Sequence, residues 1–136
     1  KIKYETKIRI FHNSITKVSN SIGIPETATI WIRCSLKNGK TTNLEAFIKT
    51  PTYNSDNNKV GLRWDSGEPI RTSWNESTSG TSLFNRDPKK FINKLLESNT
   101  LVFQWNPYQS IPQAVKFDLI KMKPDIIRAK NDGCEY

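Results

Sequence analysis

Apolar and polar residues alternate along much of this chain, most clearly over Ala28–Leu36. Ile30, Ile32, Cys34 and Leu36 fall on one side of that run, and Thr29, Trp31, Arg33 and Ser35 on the other. Successive side chains of an extended backbone point to opposite faces, so the pattern predicts a strand with one face in a core. A strand is also expected over Tyr4–Phe11, with Tyr4, Ile8 and Ile10 opposed to Glu5, Lys7 and Arg9. Asn13–Glu26 is rich in Ser and Asn and closes on Gly23 and Pro25. It reads as a long loop, with no more than a short piece of strand at Ile15–Val18.

Lys37-Asn38-Gly39-Lys40 is a hairpin signal. A two-residue loop would set Ile32 opposite Glu45 and Cys34 opposite Asn43, which mixes the faces. A three-residue loop with a left-handed Gly39 sets Ile32 against Leu44, Ile30 against Ala46 and Ala28 against Ile48. A slip of one residue turns every apolar side chain to the wrong face, so the bulged turn is the expectation. Val60, Leu62 and Trp64 alternate again, Ser66-Gly67-Glu68 turns the chain, and Ile70, Thr72 and Trp74 return antiparallel. Asn75–Ser82 reads as a loop, after which Leu83 and Phe84 re-enter the core.

Asp87-Pro88 opens a helix over about residues 88–97: Asp87 caps, Pro88 suits the first position, and Phe91, Ile92, Leu95 and Leu96 form one apolar stripe. Thr100–Asn106 and Gln113–Lys121 form a last strand pair, with Leu101, Phe103 and Trp105 facing Leu119, Phe117 and Val115. Pro124–Ala129 predicts a short C-terminal helix. The elements describe a mainly β chain: a small antiparallel β-sandwich or open barrel, one domain over residues 1–136, with one inserted helix and a short C-terminal one.

A length of 136 residues suffices to bury a core, and no run approaches the roughly 18 apolar residues of a membrane span. The chain starts at Lys1 rather than Met, which fits a removed leader peptide or a shortened chain. Net charge is +8, and residues 1–50 supply most of it, with nine Lys or Arg against three acids. The basic residues stand singly, so a solvated basic surface accounts for them; an anionic partner or contact with a membrane surface is the sharper alternative.

The two cysteines, Cys34 and Cys134, are too far apart for a zinc motif. They are two separate thiols or one disulfide. The polar tail around Cys134 favours the bond, which would pin an end that otherwise frays. His12 is the sole histidine and neighbours no nucleophile, and no P-loop, dinucleotide fingerprint or metal-ligand spacing occurs. No catalytic residue, metal or cofactor is therefore expected. Trp31 and Arg33 share the polar side of the central strand, where arginine on tryptophan is either a surface stack or a platform for a ligand. Arg63 and Asp65 lie two apart on another strand, as an exposed ion pair or a recognition pair.

Several short motifs recur in a telling order: I-R-C at 32–34, L-R-W-D at 62–65, S-W-N-E-S at 73–77, Leu83-Phe84, the helix F-I-N-K-L-L, F-D-L at 117–119 and a terminal Cys. That order resembles the periplasmic accessory proteins associated with type VI secretion, the VasI/TagO-like group, and related small exported proteins of bacteria and their phages. The resemblance spans residues 28–136; the N-terminal part lacks the family's early Trp and acidic turn. It implies an exported sandwich with its two cysteines joined, no enzymatic activity, and a role in binding envelope or secretion components. Arg63, Asp65 and Trp74 are the characteristic positions it carries over. The expectation is a periplasmic or secreted accessory protein that binds a protein or envelope component. An inhibitor or immunity-type protein acting on an envelope enzyme or phage component is the first alternative. A nucleic-acid-binding β-barrel is the second, and nucleic acid is not the expected partner.

Overall fold

The computed structural model describes residues 5–136, so Tyr4 lies outside the described residues. The alternating runs become strands. These are β1 (Glu5–Ser19), β2 (Pro25–Lys37), β3 (Lys40–Lys49), β4 (Lys59–Trp64), β5 (Ile70–Ser73), β6 (Asn75–Glu76), β7 (Ser82–Phe84), β8 (Thr100–Trp105) and β9 (Gln113–Asp118). Helix α1 is Pro88–Glu97, and α2 is Lys123–Asn131, preceded by a 3-10 turn at Ile120–Met122. Strands β1-β2-β3-β7-β6 make one antiparallel sheet, and β5-β4-β8-β9 make the second.

The two inner faces form the core. Ile30, Ile32, Cys34, Ala46, Ile48 and Leu83 come from the first sheet, and Val60, Leu62, Leu101, Phe103, Trp105 and Phe117 from the second. Helix α1 adds Phe91, Ile92 and Leu95 from its apolar stripe, and Asp87 caps it by accepting from Lys90 N at 3.3 Å. The seam between β1 and β9 is closed by side chains. His12 Nε2 lies 2.6 Å from Asp118 O, and Lys116 N donates to Thr16 Oγ1 at 2.8 Å. The lone histidine thus joins two sheets.

A disulfide joins Cys34 to Cys134 and ties the central strand to the end of the chain. Both cysteines are buried, and Thr41 reinforces the junction: its hydroxyl donates to Gly133 O at 3.0 Å and accepts from Glu135 N at 2.9 Å.

Four expectations need correction. Asn13–Glu26 is no long loop, because β1 continues to Ser19 and the turn is confined to residues 20–24. The strand survives its polar sequence through a bulge in which residues 14–16 oppose Ala28, whose N–H is accepted by Ser14 Oγ at 3.0 Å. The β2–β3 register also differs. Asn38 as well as Gly39 takes positive φ (53° and 74°), so the turn holds two residues, with Lys37 opposite Lys40. The extra residue is Thr42, placed between the Leu36–Thr41 and Ser35–Asn43 pairs, and it restores parity so that Ile32 meets Ala46 and Cys34 meets Leu44.

In the second sheet Leu101 meets Phe117 and Phe103 meets Val115, a shift of two that leaves Leu119 beyond the strand yet buried. Finally, residues 75–84 form a small hairpin that pairs with β3, and of its two apolar residues only Leu83 enters the core. Phe84 points the other way.

Candidate functional site

Odd-numbered residues of β2 lie on the outer face of the five-stranded sheet, because its even-numbered residues are committed to the core. Ladder pairing places Phe11, Trp31, Phe47 and Phe84 directly opposite one another across β1, β2, β3 and β7. The result is one aromatic row running across four strands. Ring centroids are 5.1 Å apart for Phe11–Trp31, 6.2 Å for Trp31–Phe47 and 4.5 Å for Phe47–Phe84. Cross-strand aromatic pairs contribute about 0.5–1.5 kcal/mol beyond the area they bury, so the row also stiffens the sheet. Phe11 is 59% exposed, whereas Phe47 is 8% exposed beneath its neighbours.

Arg33 connects this row to the next. Its guanidinium lies 4.7 Å from the Phe47 ring centroid and 5.7 Å from that of Phe84, and it pairs with Glu45 at 3.0 Å. Its Nε is shielded from solvent yet has no acceptor among the described residues. Arg9 lies directly opposite Arg33, and the next row holds Lys7, Ser35 and Asn43. These side chains, with Glu45, line a shallow hollow of about 190 Å³. On the far side of the aromatic row stand Asn13, Thr29 and Lys49. The three polar rows around the rings therefore carry four cations and one acid. Like charges opposite each other destabilise a sheet, and here Arg33 turns to Glu45 and to the rings of Phe47 and Phe84 rather than to Arg9.

A larger hollow, about 310 Å³, lies where the β2–β3 hairpin meets β1 and the C-terminal segment. Its one ionisable lining residue is Asp132, which leaves it little chemistry to offer.

Arg63, Asp65 and Trp74 are placed elsewhere and do other things. Arg63 sits on the outer face of the second sheet, where its Nε donates to Gly67 O at 3.2 Å and braces the turn after β4. Asp65, in a left-handed conformation (φ 51°), accepts from Asn99 N at 2.8 Å and Thr100 N at 3.0 Å. It fastens the start of β8, and those two backbone donors hold its carboxyl below the ordinary carboxylate range. Trp74 is 1% exposed, edge-on to Phe91 at 5.1 Å and tilted against Phe103 at 5.2 Å, so it can touch no partner. Of the five binding candidates, the fold brings together Trp31 and Arg33 alone. Alternation could not reveal Phe11, Phe47 and Phe84 as their companions, because their assembly depends on register.

Among the described residues no helix is long and apolar enough to cross a membrane. Comparison with family models, curated proteins and solved structures finds no match to this chain.

Proposed function

We propose that this chain is an exported, non-enzymatic binding module of the bacterial envelope that takes its partner on the outer face of the five-stranded sheet. One observation carries the reading: the aromatic row Phe11–Trp31–Phe47–Phe84, flanked by Arg9 and Arg33, lies on the outer face of the sheet, opposite the core, with Phe11 59% exposed. Aromatic and arginine side chains dominate interface energetics because they join large area to directed hydrogen bonds. The disulfide supports an oxidising location. The VasI/TagO-like resemblance supports a partner among envelope or secretion components.

The test is capture from periplasmic and membrane extract by immobilised protein, comparing Trp31→Ala with Arg63→Ala. Loss of the captured material with Trp31→Ala alone is the expected result. Loss with Arg63→Ala alone would move the partner to the second sheet and overturn this placement.

The cation surplus beside the rings favours one second reading, a nucleic-acid-binding face. Such binding falls steeply with salt in proportion to the phosphates contacted. Tight binding of single-stranded nucleic acid at physiological salt would promote it.

A further inference from the structure

The outer face holds more chemistry than a generic contact surface needs, and that chemistry is specific in kind. Three cations, Lys7, Arg9 and Arg33, line one hollow with a single acid, Glu45, which pairs with Arg33 at 3.0 Å. Burial leaves one donor of Arg33 unpartnered, and a shielded polar group without a partner is costly. That atom is out of reach of solvent, so an incoming anion would meet the exposed remainder of the Arg33 side chain, 42% open beside Glu45. Guanidinium forks match the planar geometry of a carboxylate, and charge-assisted bonds of that kind are the strong ones. Beside the hollow, Phe11 and Trp31 present apolar ring surface. Amides and hydroxyls of Asn13, Thr29, Ser35 and Asn43 surround both, and groups that donate as well as accept suit a ligand covered in hydroxyls.

We propose that this face binds an acidic oligosaccharide, a sugar chain bearing uronate carboxylates. One carboxylate lies in the hollow between Lys7, Arg9 and Arg33, and the adjoining sugar ring packs on Phe11 and Trp31. The proposal rests on the reading above and names the ligand class for the same face. Charge complementarity selects an anion. The small number of accessible platforms selects a sugar chain over a nucleic-acid strand, which calls for a groove of cations along the backbone and successive stacking rings. Here Phe47 is 8% exposed and covered by Arg33 and Phe84, so the row offers Phe11, with Trp31 and Phe84 only partly open, beside a single cation cluster.

The experiment is titration calorimetry of the folded, disulfide-bonded protein with tetragalacturonate and with its fully methyl-esterified form, which keeps the sugar backbone and removes the charge. The acid should bind at least about tenfold more tightly than the ester. Arg9→Gln, at an exposed position of β1, should bring the acid down toward the ester and leave the ester unchanged. Phe11→Ser, also exposed, should weaken both, and Trp31→Ala should do the same if its melting curve stays cooperative. Equal affinity for acid and ester overturns the proposal, as does tighter binding of oligothymidylate or tetraglutamate at matched ionic strength. If neither sugar binds while capture from envelope extract still depends on Trp31, the ligand class is wrong and the binding face stands. If capture is independent of Trp31, the functional reading itself falls.

Discussion

Each sheet of the sandwich carries an arginine two residues from a second chemically distinctive side chain, on the same strand in one and in the turn just after it in the other, and the fold uses the two pairs in opposite ways. On β2, Trp31 and Arg33 join an aromatic row and a cation cluster on the outer face of the sheet, away from the core. On β4 and the turn after it, Arg63 and Asp65 each spend their hydrogen bonds on backbone groups of their own surroundings. Identical spacing thus yields a surface in one sheet and a set of clamps in the other. The difference lies in the neighbours. Trp31 has a ring opposite it on both sides, in Phe11 and Phe47, whereas Arg63 lies opposite Val102 with the turn of Ser66-Gly67 within reach. A polar outer position becomes recognition surface when its cross-strand partners leave it unspent, and scaffold when local backbone groups claim it.

The largest expected effect isolates the support beneath the binding face. The Cys34–Cys134 disulfide closes a span of 100 residues, for which chain entropy alone predicts about 4.7 kcal/mol of stabilisation. Cys34→Ser should lower the denaturation midpoint accordingly, while the molecules that remain folded keep their ligand capture. An unchanged midpoint, or two free thiols on non-reducing peptide mapping, would remove the crosslink from the account.

The two tryptophans should separate next. Trp74 fills the core between Phe91 and Phe103, so Trp74→Ala should cost about 3–5 kcal/mol. Trp31→Ala should cost less, about 1–3 kcal/mol for its two ring contacts, because its side chain is only partly buried. Similar losses from both, in urea titrations, would make the aromatic row structural and erase the contrast.

The smallest effect concerns the clamp at Asp65. Its carboxyl is held below the ordinary value by Asn99 N–H and Thr100 N–H, so the folded state binds this proton less readily than the unfolded chain. That contribution is present above the unfolded value of about 4 and is lost as pH falls through the folded one. The melting temperature should decline on acidification below about pH 4, and Asp65→Asn should flatten that decline. An identical acid limb in Asp65→Asn would show that the two backbone donors do not discriminate the charged form.

Much of this fold was legible in the sequence because it rests on local rules. Alternation over Ala28–Leu36 assigns Ile30, Ile32 and Cys34 to the core and Trp31 and Arg33 to the other face, and burial agrees. Asp87-Pro88 opens α1, Gly39 takes positive φ, and an antiparallel β-sandwich with two helices results. Each of these follows from parity, capping or steric freedom within a few residues of chain.

Tertiary structure decided what those rules leave degenerate. Parity says that Ile32 must meet an inward residue of β3, but Leu44 and Ala46 satisfy it equally. The choice fell to Thr42, the extra residue in β3 that restores parity after a tight Asn38-Gly39 turn. The β8–β9 register shifted by two for the same reason, since a move of two residues keeps every face assignment. Polar composition over Asn13–Glu26 pointed to a long loop with at most a short piece of strand at Ile15–Val18, yet Ser14 supplies the hydrogen bond that lets β1 pass through its bulge and reach β9. The candidate site depended on this level most of all. Sequence alone placed Trp31 and Arg33 on an outward face, whereas Phe11, Phe47, Phe84 and Arg9 join them through pairings between strands up to 73 positions apart in the chain (11 to 84). Local chemistry decides which way a side chain points. Long-range pairing decides what stands beside it.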